Sequence, residues 1–275
     1  MSYNSLAWSI GFERHLNRVF GASRAHFVQV VLLLIRRELK VKYAGSLLGY
    51  LWSMLNPLLS MLVISFVFSH FVRDIDNYPI FVLSGIIFWN MASFALVLGT
   101  NSIVANTSLI RKIKLPGWVF PSVSLGTASV NLSLSLIPYS LLYLVSGASP
   151  TVNIFLFPLA LLLFVIFLGG LVMTLSTLNV FFRDVSHVLE PVLGLVFYAT
   201  PLLYNRNSKA IPPEFANLLL LNPFTHFIET LRATLYEGRA PSLTQWATAG
   251  SISFVSALIG TIVYKKAKNK IIFKL

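Results

Sequence analysis

Apolar positions in this chain run in unbroken stretches instead of alternating, and the stretches are long enough to cross a bilayer. Tyr43–Phe71 and Tyr78–Thr100 hold no Asp, Glu, Lys or Arg. Leu115–Phe182 is equally free of charge and long enough for two spans, Val188–Tyr204 carries only Glu190, and Ala240–Tyr264 carries no charge. Crossing about 30 Å of hydrocarbon takes about 20 mostly apolar helical residues. The Gly, Pro, Ser and Asn of Ser146–Asn153 mark a loop that divides the long stretch. The pattern predicts an all-α polytopic membrane protein with six transmembrane helices, over about 46–71, 79–100, 119–146, 153–180, 188–204 and 243–264. Together they form a single transmembrane domain across residues 1–275.

The segments between the spans are patterned differently. Arg24–Lys42 (24–42) cannot span, because its apolar run Phe27–Ile35 contains Gln29 and is followed by Arg36, Arg37, Glu38, Lys40 and Lys42. It reads as an N-terminal amphipathic interface helix, basic residues toward headgroups and its Leu/Val face toward acyl chains, or as a helix lying on a neighbouring subunit. Glu38 and Lys42 stand at i,i+4 in the order that favours an ion pair. Gly45 and Gly49 make a G-x-x-x-G at the first span's start, suited to close helix approach or to a bend. Asn56-Pro57 inside that span frees a backbone carbonyl that neighbours must satisfy.

Residues 101–118 hold a short basic amphipathic segment, Ser108–Gly117, stopped by Pro116. It suits lipid anchoring or docking into a groove on a soluble partner. In residues 205–241, Phe215–Leu221 is too short to cross. Asn222-Pro223 starts a helix by the usual signals and Gly238 closes it, with Glu229 and Arg232 at i,i+3. The segment reads as two short re-entrant exterior helices between spans five and six, or as a small cap on the outer surface.

Charge then orients the bundle. Of the 21 basic residues, 16 fall on one face: Arg14, Arg18, Arg24, Arg36, Arg37, Lys40, Lys42, Arg111, Lys112, Lys114, Arg183 and the lysines of the C-terminal tail. Acids and bases balance on the opposite face, so the formal net charge of +12 sits on one side. The positive-inside rule places both termini in the cytoplasm. Met1–Phe12 lacks the zones of a cleaved signal peptide, so the first span is expected to act as its own insertion signal. The basic excess reports topology and anionic lipid, not nucleic acid. A hydrophobic content of 56 % with 11 % charged residues agrees with membrane residence, and the lack of cysteine excludes disulfides and thiolate chemistry.

Catalytic constellations are missing. The chain holds no phosphate loop, no H-E-x-x-H and no G-x-S-x-G. His15, His26, His70, His187 and His226 are scattered without metal-ligand spacing. Asp74-Ile-Asp76 matches the D-x-D of metal-dependent glycosyltransferases, but it lies in a tight turn beside Arg73 and reads as solvated. Glu190 is the one acid within a span, where an ion-driven carrier would be expected to bury deeper acids. A separate ATPase subunit is the simplest energy source.

Four motifs then stand in a known order. Lys42–Pro57, Leu178–Asp184, Ala199–Tyr204, and Leu221–Pro223 with Glu229, Arg232 and Gly238 resemble permease subunits of type-2 ABC exporters for bacterial polysaccharides. Asn-Pro in the first span is similar to the O-antigen and teichoic acid exporters, whereas capsule exporters carry Glu-Pro. Leu115 departs from the aromatic residue that relatives place before Pro116. The resemblance implies a second copy of the chain and two ABC nucleotide-binding subunits as partners. ATP and Mg would be bound on those subunits and none by this chain. It also implies a polyprenyl-linked polysaccharide as cargo, in the bacterial inner membrane among its lipids.

By resemblance, 24–42 is the interface helix beside the lipid access point. Residues 101–118 map to the coupling helix, with Leu109, Ile110, Arg111, Lys112 and Lys114 meeting the ATPase. Arg36, Arg37, Lys40 and Lys42 would receive the lipid diphosphate, since guanidinium and ammonium groups suit phosphate. Spans one and five would line the channel, with Tyr50, Trp52, Phe66, Phe197, Tyr198 and Tyr204 as candidate aromatic contacts for sugar rings. A membrane-bound transferase or polymerase acting on polyprenyl-linked sugars, and an ion-coupled flippase, are the rival readings.

Overall fold

The computed structural model describes residues 22–274 except Phe71, Arg73, Asp74, Lys114, Lys209 and Ala210. The expectations for Met1–Phe12, Arg14, Arg18, Asp74 and Lys114 therefore lie outside the described residues. Ten α-helices are described: α1 (Ala22–Tyr43), α2 (Leu51–Phe68), α3 (Tyr78–Ala105), α4 (Thr107–Ile113), α5 (Val119–Val145), α6 (Phe157–Phe181), α7 (Asp184–Tyr198), α8 (Pro213–Leu218), α9 (Pro223–Leu235) and α10 (Leu243–Lys274). Short 3-10 turns, Val152–Leu156 and Leu219–Leu221, lead into α6 and follow α8. No strand occurs among the described residues.

Five segments are long and apolar enough to cross a membrane: α2, α3, α5, Val152–Phe181 and α10. The fifth expected span, 188–204, is not one helix. α7 has 15 residues, which is about 22 Å of rise. It stops at Tyr198 because Pro201 lacks an N–H and drives Thr200 out of helical geometry.

α3 is the axis of the core. Val82, Leu83, Phe88, Ala92 and Ala95 are fully enclosed, among neighbours from α5, α6 and α9. α6 and α10 run against each other so closely that a Cβ on Gly170 would strike the Ser256 backbone, and one on Gly260 would lie 2.6 Å from the Gly170 carbonyl oxygen. Ser253 Oγ donates to the Leu163 carbonyl and Ser256 Oγ to the Phe167 carbonyl, each at 2.8 Å. Small residues and crossing hydroxyl bonds are how membrane helices associate, since lipid supplies no hydrophobic drive between them.

The bundle has two chemically distinct ends. At the basic end, Ile110 of α4 is buried with Ile103, Phe120, Val180 and Ile271, and the Trp118 amide donates to the Tyr264 hydroxyl at 3.3 Å. α1 rests there on α5 through Ile35, Leu39, Val119 and Val123. At the opposite end, α9 inserts an apolar face of Phe224, Phe227, Ile228 and Leu231 against Phe164 and Phe167. That i, i+3, i+4, i+7 spacing is the stripe of an amphipathic helix. The Asn222 side chain accepts from the Phe224 amide at 3.0 Å, and Gly238 takes the left-handed backbone (φ 64°) after α9.

Two local expectations change, and an open one narrows. Gly45 and Gly49 both have positive φ and no neighbour within this chain near a would-be Cβ, so of the two readings the glycines serve the bend before α2. Lys42 Nζ sits 4.2 Å over the Phe94 ring and does not pair with Glu38; ion pairs among the described residues are Arg206–Glu229 and Arg239–Glu237. Glu229 is thus bound to Arg206 across the chain, and Arg232 turns inward instead of meeting Glu229. The carbonyl freed by Pro57 is that of Ser53, and Ser135 Oγ donates to it at 2.9 Å.

Candidate functional site

α2 and α7 stand at the edges of the bundle and leave a concave face between them, floored by α3. Two adjoining hollows, of about 480 and 410 Å³, share Ser93 and Val97 on that floor. Asn90, Ser93 and Val97 recur at i, i+3 and i+7, so one face of α3 points into the hollow. Asn90 is exposed, although residues 80–89 just before it on α3 are all buried. Asn56 and Ser60 of α2 line the first hollow, and Glu190, Phe197 and Tyr198 of α7 line the second. A row of amides and hydroxyls facing acyl chains would go unsatisfied, at a cost of about 2 kcal/mol or more each. Such a face is suited to water or a polar ligand.

Hydrogen bonds fix the wall at the basic end. Tyr43 Oη, Ser53 Oγ and Asn131 Oδ1 form a triangle in which the hydroxyls lie against each other and 3.1 and 3.0 Å from the amide oxygen. One hydroxyl donates to Asn131, and the other donates either to Asn131 or to its neighbour. The Asn131 Nδ2 is buried there without a hydrogen-bond partner among the described residues, a donor available to a group in the hollow. Lys42 lines the same hollow, held over Phe94. Arg36, Arg37 and Lys40 are exposed on α1, near but not within it.

The expected aromatic residues separate into three groups. Tyr50, just before α2, and Trp52 and Phe66 on it are exposed, Phe66 at 81 %. Phe197 packs edge-on against Trp89 with ring centroids 5.6 Å apart, and Tyr198 beside it is exposed. Tyr204 lies past the helix end, where its hydroxyl donates to the Tyr198 carbonyl at 3.0 Å. On α4, Arg111 and Lys112 are exposed. Leu109 packs against the cluster that buries Ile110, so those two apolar residues hold α4 to its own bundle.

The segment after α7 is irregular backbone inside a helical bundle, and its carbonyls from Ala199 to Leu203 are answered. The Asn222 amide donates to the Ala199 carbonyl at 3.1 Å, the Leu202 amide to Thr200 at 2.7 Å, and the Tyr78 hydroxyl to Leu203 at 2.9 Å. Arg232 takes Pro201 and Leu202. Its Nη2 donates to Leu202 at 2.6 Å and to Phe81 at 3.1 Å, its Nη1 donates to Pro201, and its Nε donates to Ser84 Oγ at 3.1 Å. The guanidinium also stacks 3.7 Å from the Phe81 ring centre. Burial draws its pKa down to about 10 against the pull of Glu237, Tyr236 and Glu229; at neutral pH it stays charged. Non-helical backbone survives at membrane depth only where protein satisfies it, and this arginine is the principal means.

Sequence reasoning placed Arg232 in a surface pair and passed over Asn90 and Ser93. The available signal was an Asn and a Ser three residues apart in the middle of a span whose central residues, 85–99, are otherwise apolar.

The family model for ABC-2 type transporters matches residues 29–236. The chain belongs to this family. The O-antigen export system permease protein RfbA of Myxococcus xanthus is 31 % identical over 242 residues, covering 88 % of this chain and 93 % of that one. The Klebsiella pneumoniae protein of the same name is 31 % identical over 252 residues, covering 90 % and 94 %. The polysialic acid transport protein KpsM of Escherichia coli is 22 % identical over 238 residues, covering 84 % and 91 %. As an ABC-2 family member with five long apolar helices, the chain is a multi-pass membrane protein. The match includes α2, α3, α7 and α9, so the concave face and the Arg232 clamp both lie within the family's common region.

Proposed function

We propose that this chain is the channel-forming permease subunit of an ATP-driven exporter. It moves a lipid-linked polysaccharide of O-antigen type from the cytoplasmic to the outer side of the inner membrane. Two copies work with two ABC nucleotide-binding subunits, which carry ATP and Mg, and both termini face the cytoplasm. The observation that carries this reading is the polar-floored hollow between α2 and α7, in a chain whose close relatives are named as O-antigen export permeases. Family membership favours export over a transferase or polymerase acting on polyprenyl-linked sugars.

The physical sequence is short. A sugar polymer stripped of water loses several kcal/mol per unbonded hydroxyl, so it needs a wet path. Asn56, Ser60, Asn90 and Ser93 offer replaceable hydrogen bonds along that path, and Phe197 and Tyr198 offer flat faces to sugar C–H patches. Weak contacts at many sites allow continued movement, as in other conduction pathways. Lys42, with Arg36, Arg37 and Lys40 on α1, supplies cationic donors for the lipid diphosphate at the basic end. The exposed Arg111 and Lys112 meet the nucleotide-binding subunit.

Two experiments test this. Ser93→Trp fills the hollow and is expected to abolish surface polysaccharide in a complemented deletion strain, while the purified complex with its ATPase still assembles. Export at the unsubstituted level would remove the hollow from the transport path. The double charge reversal Arg111→Glu with Lys112→Glu is expected to weaken copurification with the ATPase at least about tenfold, the scale of a lost interfacial charge pair. Unchanged assembly and export together would remove α4 from the coupling role.

A further inference from the structure

A second cavity, of about 350 Å³, opens at the end of the bundle opposite the basic end, between α9, the start of α10 and the segment after α7. It stands apart from the hollow on α3. Three acids and three arginines face it: Asp76, Glu229 and Glu237, with Arg206, Arg232 and Arg239. These charges cancel, and they are held in place. Arg206 grips Glu229 with two bonds, Nε to Oε1 at 2.7 Å and Nη2 to Oε2 at 3.3 Å. Arg239 donates to Glu237 at 2.5 Å and to the Gln245 side-chain oxygen at 3.0 Å.

The remaining polar groups are oriented by the same bonds. Gln245 Oε1 accepts from both Arg239 and the Ser242 amide, at 3.0 and 2.9 Å, which leaves its NH2 group as a donor. Asn205 Oδ1 accepts from the Asn207 amide at 3.0 Å and likewise keeps its NH2 group, and Asn207 itself lines the cavity beside it. Tyr204 and Tyr236 supply ring faces. Burial, reinforced by Asp76, pushes the Tyr236 phenol up to about 12. That phenol is therefore neutral, and it donates to the Asp76 carbonyl.

This lining selects by exclusion. A free anion would meet three carboxylates and a free cation three guanidinium groups, and neither finds a field of one sign. An apolar ligand would strip water from the charges that face the opening and return no hydrogen bonds. A neutral molecule that donates and accepts around its whole outline fits all of these groups, and vicinal hydroxyls on a sugar ring do both. The volume lies at the small end for ligand sites, enough for a short saccharide and too little for a polymer coil. Position agrees, because Pro201 and Tyr204 line this cavity while Phe197 and Tyr198, a few residues earlier, line the α3 hollow.

We infer that this cavity is a saccharide-binding site, which takes neutral sugar units at the membrane face opposite the basic end. As a stage in export it rests on the functional reading above, and it adds a hold for sugars after the channel.

The test uses full-length protein with its ATPase subunits in lipid nanodiscs. The probes are methyl glycosides of mannose, galactose and rhamnose, followed by saturation-transfer NMR. Transfer to at least one glycoside is expected in the unsubstituted protein. Gln245→Leu and Asn207→Ala are each expected to weaken it by about tenfold, the size of one hydrogen bond to a polar or charged group. Gly250→Ala, on α10 and outside the lining of either cavity, is expected to leave it unchanged. Asn207 is exposed, so its variant tests the site even where the Gln245 variant fails to fold.

The inference is overturned by no transfer to any glycoside, by transfer that survives Asn207→Ala, or by displacement with inorganic phosphate. ATP-dependent export by the unsubstituted complex is read alongside. Export without saccharide transfer removes only this site, whereas saccharide transfer without export removes the exporter reading and leaves the site standing.

Discussion

Gly170→Val is expected to leave no folded protein recoverable from the membrane. The α6 and α10 backbones touch at this residue, where a Cβ collides with the Ser256 main chain and Gly260 abuts the Gly170 carbonyl. A branched side chain cannot escape by rotamer change, because the obstacle is backbone. The helices must part, and the bonds from Ser253 and Ser256 to Leu163 and Phe167 part with them. Overfilling a close-packed interior costs about 3 kcal/mol, a large share of typical stability. Gly250, with open space around it, is the control: Gly250→Ala is expected to hold or slightly raise the unfolding midpoint, since alanine is favoured over glycine in helices by about 1 kcal/mol. Ser256→Ala removes one interhelical bond and is expected to cost only about 0.6 kcal/mol. Equal thermal unfolding midpoints for Gly170→Val and the unsubstituted protein would show that the crossing is not close.

Arg232→Met is the second large effect. It removes four hydrogen bonds at once and strands the carbonyls of Pro201 and Leu202, while the Ser84 hydroxyl and the Phe81 carbonyl keep the bond between them at 2.6 Å. Each buried group left without a partner costs about 1–3 kcal/mol, so the loss is on the order of 4 kcal/mol or more. The segment 199–204 is expected to loosen first, detected as protease cleavage there and as loss of surface polysaccharide. Arg232→Lys is expected to recover part of the stability and little of the transport. An ammonium has three donors on a flexible stem and cannot reproduce the planar fork. Full recovery by lysine would mean that charge alone matters and that the clamp geometry does not.

Much of this architecture was legible because hydrocarbon is an unforgiving solvent. A run without charges must be a helix there, so the stretches holding α2, α3, α5, α6 and α10 declared themselves. The end of α7 did not, although Thr200-Pro201 was in view, because apolar residues continue to Tyr204 and hydropathy registers composition, not backbone geometry. The orientation of Arg232 was hidden for a related reason. An arginine three residues from a glutamate on a helix is ordinarily a surface pair, and only the freed carbonyls of a distant segment explain why it turns inward. Asn90 and Ser93 were visible as letters. Their shared direction became meaningful once α2 and α7 were seen to leave that face of α3 uncovered. The α4 apolar residues show the limit of amphipathic reasoning, since Ile110 turned out to face its own bundle.

The brevity of α7 has a consequence for how that edge of the protein crosses hydrocarbon. The helix rises about 22 Å where the apolar layer is about 30 Å deep, so the irregular residues 199–204 supply the remaining depth. A coil left bare to acyl chains would have to pull headgroups inward to solvate its peptide dipoles. Tyr78, Asn222 and Arg232 bind those dipoles from within the protein, so this edge can be short as a helix without thinning the bilayer beside it.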